Sequence, residues 1–433
     1  MAYLLCLIYI AFIYIRPAEL GLTWGGIGLV DIVAGTALAV TALSVVFKPR
    51  PVANLPNDWC FLGFFLAVIL SNPANGWFEA GPLAFMAATP IMAFYVLIRI
   101  AVRTTRQLRV LIVVLVVVTL FQSVNGIVQY HTGVGFGGST AYMQKAAESE
   151  DGEGAPVVVR IRGTGIFNDP NDLAMSLLIV FPFLFTAILS PDPGLIRRLV
   201  GFVALSILAY GLYLTQSRGG FVGLTTLCAA YAYRRFGRAL GVALSIAAVG
   251  VFVVVLVMGQ SRVSRLETSE ESAQGRIQAW SAGLEMIKSR PVLGVGAGQF
   301  TEHNELVAHN SFVHAFAETG FVGGFFFVGM FYWLLVGNGS SRNMAGAASS
   351  PLAIDIWACG IGVIVTASFL SRQYSPVLLV PLALGATRMV VERKTDDEEP
   401  LQRARDWMYL LLLAFGVLAA THVVVRSFAM WSG

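Results

Sequence analysis

The stretch LRVLIVVLVVVTLFQSVNGIVQ, Leu108 to Gln129, holds one arginine near its start and no other charge in 22 residues. About 20 apolar residues at roughly 1.5 Å each cover the hydrocarbon core of a bilayer as an α-helix, so this run predicts a membrane span. Comparable runs recur at 1–15, 26–47, 57–71, 82–102, 172–190, 198–214, 219–233, 239–258, 311–336, 352–370, 375–391 and 407–428. Together they predict roughly thirteen crossings, within a range of about twelve to fourteen. The runs 1–15, 57–71 and 375–391 are short for a crossing. The alternating pattern of an outer-membrane strand is absent, which argues against a β-barrel. The expected architecture is therefore all-α: a polytopic integral membrane helix bundle forming a single membrane domain over 1–433, with no internal repeat and no soluble domain appended.

Composition agrees. Of 433 residues, 56% are hydrophobic and 12% charged, where a soluble domain carries about 25% charged residues. Mean hydropathy is +0.72. A formal charge of +4 is too small to imply a nucleic-acid partner. Cys6, Cys60, Cys228 and Cys359 all lie inside apolar runs, which favours buried thiols over a disulfide framework. Met1–Ile15 has neither a basic start nor a small-residue cleavage site and reads as an uncleaved first span.

Orientation follows from basic residues in alternate loops. Lys48 and Arg50, Arg99 to Arg109, Arg197 and Arg198, Arg234 to Arg238, Arg342, and Arg388 to Arg405 form one set, whereas Asn72–Gly81 in the other set has no Lys or Arg. The positive-inside rule places the first set in the cytoplasm, the amino terminus inside and, with thirteen spans, the carboxyl terminus outside. Two longer loops, 130–170 and 259–310, then face the periplasm. The polar, acidic stretch Gly138–Gly154 reads as a loop without regular structure. In the second loop, Ile277, Trp280, Leu284 and Ile287 repeat at helical spacing, and Pro291 with the run Gly294–Gly298 ends that helix.

The residues with chemical potential collect on this outer side. Arg218 stands in Thr215–Gly220, a short external turn, against the charge bias. It is either an interfacial arginine snorkelling to water or an anion clamp whose planar fork suits a phosphate. Arg276 opens the amphipathic helix beside Gly275, and Arg290 closes it. Arg160 and Arg162 precede Gly163–Asp172, in which Asp169 and Asp172 suit a turn and helix cap better than a metal. His309 and His314, five residues apart, would point about 140° apart on a helix, a poor arrangement for a shared zinc ion. A neutral imidazole beside several arginines is, however, a competent general base for a hydroxyl. Glu318 is a near-membrane acid two to three turns beyond His309, and such positions are functional candidates.

His309-Asn310, then nine intervening residues and Gly320-Phe321-Val322-Gly323-Gly324, resembles the signature of the bacterial O-antigen ligase and polymerase family. Ser217–Gly220, Gly275–Trp280 with Lys288–Phe300, and Arg162–Asp172 agree with it, so the resemblance covers about 160–335. It implies a GT-C-like membrane glycosyltransferase of the inner membrane that uses an undecaprenyl-diphosphate-linked glycan as donor, without metal ion or other cofactor. By the same resemblance Arg218 and Arg276 hold the diphosphate, with Arg290, Arg160 and Arg162 as further donor-site candidates. His309 becomes the catalytic histidine; Asn310, His314 and Glu318 are supporting candidates by position. The acceptor expected is the lipid A-core of lipopolysaccharide, the histidine–glycine spacing favouring a ligase. Polysaccharide polymerase, protein O-oligosaccharyltransferase and, from another class, lipid-linked sugar transporter are the alternatives.

Overall fold

The computed structural model describes residues 1–22, 29–47, 55–145, 157–191, 194–247, 250, 273–339, 350–392 and 404–428. The chain is an all-α polytopic membrane bundle, and its helices fall on the predicted spans. They are α1 (Ala2–Ile15), α2 (Leu29–Phe47), α3 (Pro56–Ala74), α4 (Ala80–Ala101), α5 (Thr105–Thr132), α6 (Pro170–Leu189), α7 (Leu195–Thr215) and α8 (Arg218–Phe236). A shorter α9 (Arg238–Ala247) follows. The second predicted loop supplies α10 (Ala273–Ser289) and the single turn α11 (Phe300–His303); the remaining spans are α12 (Ser311–Gly339), α13 (Pro351–Ala367), α14 (Pro376–Val391) and α15 (Ala404–Phe428). By length and composition α2, α5, α6, α7, α12 and α15 suffice to cross a membrane, and α1, α9, α13 and α14 are among the shorter apolar helices.

Local signals explain the helix ends. Thr104 caps α5, accepting from Gln107 N at 3.2 Å, and Gly133 at φ 82° stops it. Asp169 caps α6 through Asn171 N at 2.7 Å, with Pro170 at the first helical position. Ser217 caps α8 through Gly220 N at 3.1 Å. One apolar core runs from Cys6 in α1 to Ala414 in α15, and the four cysteines are free thiols within or beside it.

The helices alternate between two ends. At one, Arg99 pairs with Asp58 at 2.9 Å, Arg103 reaches Ser44, Arg234 lies over the ring of Trp357 and Arg388 donates to Gly337 O. These are the arginines expected in the cytoplasm. At the other end gather the last turns of α1, α3, α5, α7 and α13 and the first turns of α6, α8, α12 and α14. Lys48, Arg50 and Arg342 lie outside the described residues.

One expectation needs correcting. Within Gly138–Gly154, Tyr142–Lys145 form strand β1, paired antiparallel with β2 (Val157–Arg160) in the register Tyr142↔Arg160 to Lys145↔Val157. The β-branched run Val157–Val159 gives the polar segment a partner, which composition alone conceals. Residues 146–156 lie outside the described residues, as do 251–272 of the second loop. The helix expected at Arg276–Ile287 forms as α10, and it ends where Pro291 and the glycine run require.

Candidate active site at the end opposite the arginine-rich loops

The site is organised by a break in α12. At Gly320 the backbone takes φ 65° and ψ −166°, a region essentially reserved for glycine. A Cβ there would sit 2.4 Å from the carbonyl carbon and oxygen of Val292. The interruption would strand backbone groups inside the bundle, and the segment after α10 takes them up. Phe321 N and Val322 N donate to Pro291 O and Val292 O at 2.8 and 3.2 Å, while Val295 N and Gly296 N donate to Ala317 O and Glu318 O at 3.0 Å each. The polar end of α3 clamps the same segment: Ser71 Oγ accepts from Ala297 N, and the side-chain amides of Asn72 and Asn75 donate to Ala297 O and Gly294 O.

Glu318, 1% exposed, is the hub of this region. One carboxylate oxygen accepts from Phe300 N at 3.1 Å and meets His314 Nε2 at 3.0 Å. The other accepts from Tyr374 Oη at 2.8 Å and from Gln373 Nε2 at 3.4 Å. Two of the three supporting candidates, His314 and Glu318, are thus turned into the protein and toward each other. Replacing Glu318 with alanine orphans several buried donors at once. We expect a loss of about 3 kcal/mol of stability, read as a lowered Tm of the detergent-purified protein. Glu318→Gln retains an acceptor and should cost clearly less.

His309 sits immediately before α12, half-buried, in the left-handed conformation at φ 47°. Its neighbours hold it there. Ala308 is fully buried, and its carbonyl accepts from Trp280 Nε1 of α10 at 2.7 Å. Asn310 caps α12, its Oδ1 accepting from Phe312 N at 3.0 Å and Val313 N at 3.3 Å. A non-glycine residue in this conformation carries strain, and such strain collects at functional positions. Arg16 and Gln216, the other non-glycine residues at positive φ among the described residues, lie at this same end. Arg276 is one helical turn before Trp280 on α10, which brings it to the His309 side.

A closed ring of contacts completes the site. Ser311, two residues after His309, donates through Oγ to Leu370 O at 2.6 Å and accepts from Arg372 N at 2.9 Å. Phe369 packs on Gly219, where a Cβ would lie 2.9 Å from its own, so Arg218 stands beside this turn; it is exposed at the start of α8. Arg372 Nε donates to Asp172 of α6. The neighbouring Asn171 accepts from Arg160 Nη2 at 3.0 Å, and Arg160 Nε donates to Thr215 O at 2.9 Å, three residues before Arg218.

The segments that bear Arg218, Arg276 and His309 are thus linked through the Phe369–Gly219, Trp280–Ala308 and Ser311–Leu370 contacts. Arg160 is buried, 5% exposed, with Nη1 also donating to Gln144 of β1. Arg162 is directed at the hairpin base, donating to Thr140 O at 2.7 Å. Arg290 is exposed at the far end of α10, about 21 Å from Arg276 along the axis at 1.5 Å per residue, so one diphosphate cannot bridge the two. Asp169 caps α6 as the sequence suggests, but Asp172 is the partner of Arg372. Sequence reading missed Arg372. The only available signal was a charged residue in the short turn between two apolar runs, on the side where charge is scarce.

Fold and site together define a multi-pass membrane protein with an arginine- and histidine-bearing site at one end of a helix bundle. Residues 201–328, from α7 to the middle of α12, match the family model described as O-antigen ligase. Arg218, Arg276, Arg290 and His309 fall within the match; Arg160, Arg162, Asp172 and Arg372 fall outside it. No curated protein matches the chain.

Proposed function

We propose that the protein is a glycosyltransferase that moves a glycan from undecaprenyl diphosphate to an acceptor hydroxyl, the lipid A-core of lipopolysaccharide, at the periplasmic face of the inner membrane. The observation that carries this reading is the placement of His309, held in a strained conformation, beside the turn that bears Arg218 and the helix that bears Arg276. The family match over 201–328 and the charge asymmetry of the two ends support it.

In this reaction the acceptor hydroxyl attacks the anomeric carbon while His309 removes its proton. The new glycosidic bond forms as the bond from the anomeric carbon to the diphosphate oxygen breaks, and undecaprenyl diphosphate departs with the bonding electron pair. Attack from the face opposite the leaving group inverts the anomeric configuration. Fixed guanidinium groups stabilise charge that develops on the diphosphate, which is the contribution a metal ion makes in other phosphate-leaving reactions. Arg218 and Arg276 contact the diphosphate directly. Arg160, buried and bonded to neutral oxygens, contributes its field and fixes the turn that bears Arg218. Arg162 and Arg290 serve the glycan on its way in, at the hairpin base and at the end of α10. The broken α12 does not by itself favour transport, because its freed carbonyls at 317 and 318 are taken by backbone donors.

The test is transfer by the purified full-length protein from an undecaprenyl-diphosphate glycan, with EDTA present, to lipid A-core, to a second lipid-linked glycan or to a protein hydroxyl. We expect wild-type transfer to lipid A-core to persist in EDTA. Arg218→Ala should lower kcat/KM for the donor by about 100-fold, in keeping with the loss of a charge-assisted contact to the leaving group. Transfer to another acceptor class alone would redirect the assignment to polymerase or protein glycosylation. Donor movement across a bilayer with the diphosphate bond intact would replace it with transport.

A further inference from the structure

We propose that Arg372 is a third arginine of the donor site, contacting the diphosphate, and that Asp172 is the carboxylate that positions it. The proposal rests on the glycosyltransferase reading above. Arg372 lies in the turn between α13 and α14, outside the family match. The turn is held to the site at two points: Ser311, two residues from His309, binds Leu370 O and Arg372 N, and Phe369 abuts Gly219, next to Arg218.

The side chain is not used up by the protein. Nε donates to Asp172, and Nη1 to Ser371 O at 3.1 Å; Nη2 has no acceptor among the described residues. The Arg372 side chain is 36% exposed, against 8% for Asp172. A pure structural staple would turn the guanidinium fork onto the carboxylate through two nitrogens. Here Asp172 engages only Nε, which fixes the plane of the group and leaves its outer edge for another anion. Arg160 offers the contrast: all three of its nitrogens meet protein acceptors, and it is buried. Because Asp172 offsets one positive charge, the gain at the site comes from a rigid, pre-oriented donor pair and not from added net charge.

The test is binding of undecaprenyl diphosphate, and of undecaprenyl monophosphate for comparison, to the full-length protein in nanodiscs. Alongside it, donor and acceptor KM and kcat are measured for wild type, Arg372→Lys, the double variant Arg372→Gln/Asp172→Asn, and Arg218→Ala. The double variant removes both charges together, so no buried carboxylate is left unpaired. We expect it to weaken undecaprenyl diphosphate binding roughly tenfold or more, with a smaller loss for the monophosphate and an unchanged acceptor KM. Arg372→Lys keeps the charge and loses the fork, and should recover only part of the affinity. If the double variant does not fold, Arg372→Lys decides, and wild-type affinity in that variant overturns the proposal. Loss of affinity in Arg218→Ala but not in the Arg372 variants overturns this proposal and leaves the transferase reading intact. Wild-type protein that binds no undecaprenyl diphosphate overturns both.

Discussion

On the proposed transferase reading, replacing His309 by alanine should abolish glycan transfer while leaving donor binding close to wild type. In the proposed reaction the imidazole accepts the acceptor's proton, and loss of a general base lowers rates by about 10²- to 10⁴-fold. The fall should appear in kcat, with donor affinity unchanged, because the diphosphate is proposed to rest on the arginines. Alanine at φ 47° is itself slightly disfavoured, whereas asparagine tolerates the left-handed region well. His309→Asn is therefore the cleaner variant: it keeps the backbone and cannot act as a base. Equal losses in His309→Ala and His309→Asn, with unchanged Tm, assign the loss to chemistry. Wild-type turnover in either would remove His309 from the reaction.

Gly320→Ala should be among the most damaging single-methyl changes in the described protein. Its φ and ψ lie in a region where a side chain costs about 1–3 kcal/mol, and the added Cβ would sit 2.4 Å from the backbone of Val292. Val292 cannot retreat freely, because its carbonyl accepts from Val322 N. Relief therefore requires opening the four hydrogen bonds that join 291–296 to 317–322. We expect little monodisperse protein in fluorescence-detected size exclusion and no activity in what survives. Gly21→Ala, at φ 79° with nothing within 4 Å of its Cβ, is the control for strain without the clash. Near-normal yield of Gly320→Ala would mean the break in α12 is not needed for folding.

The bundle was legible because its signal is long and physical: apolar runs of membrane length, separated by turns whose arginines mark one end. The helix at α10 and its stop at Pro291 were readable from spacing and from proline and glycine chemistry. Candidates for the site were readable too, because Arg218 and His309 stand where apolar runs break on the charge-poor side. What sequence concealed depends on partners far along the chain. Asp172 looks like a cap residue until Arg372 is placed against it, and Arg160 looks like a ligand until Thr215, Gln144 and Asn171 surround it. Glu318 and His314 stood out in sequence as supporting candidates by position, and only the fold shows their hydrogen bonds facing inward to Phe300, Tyr374 and each other. Strand β1 was hidden because a polar four-residue strand needs its neighbour to be recognisable.

The Asp172–Arg372 contact joins residues 200 positions apart, across the helices between them. A chain emerging from the ribosome has already placed α6, α8 and the first turn of α12 before the turn after α13 is made. Until then Asp172 has no cation and Ser311 has neither Leu370 nor Arg372 to hold. The nascent protein thus carries its histidine and its first arginines early while their frame stays open. The frame closes late in synthesis, only once the turn after α13 has been made.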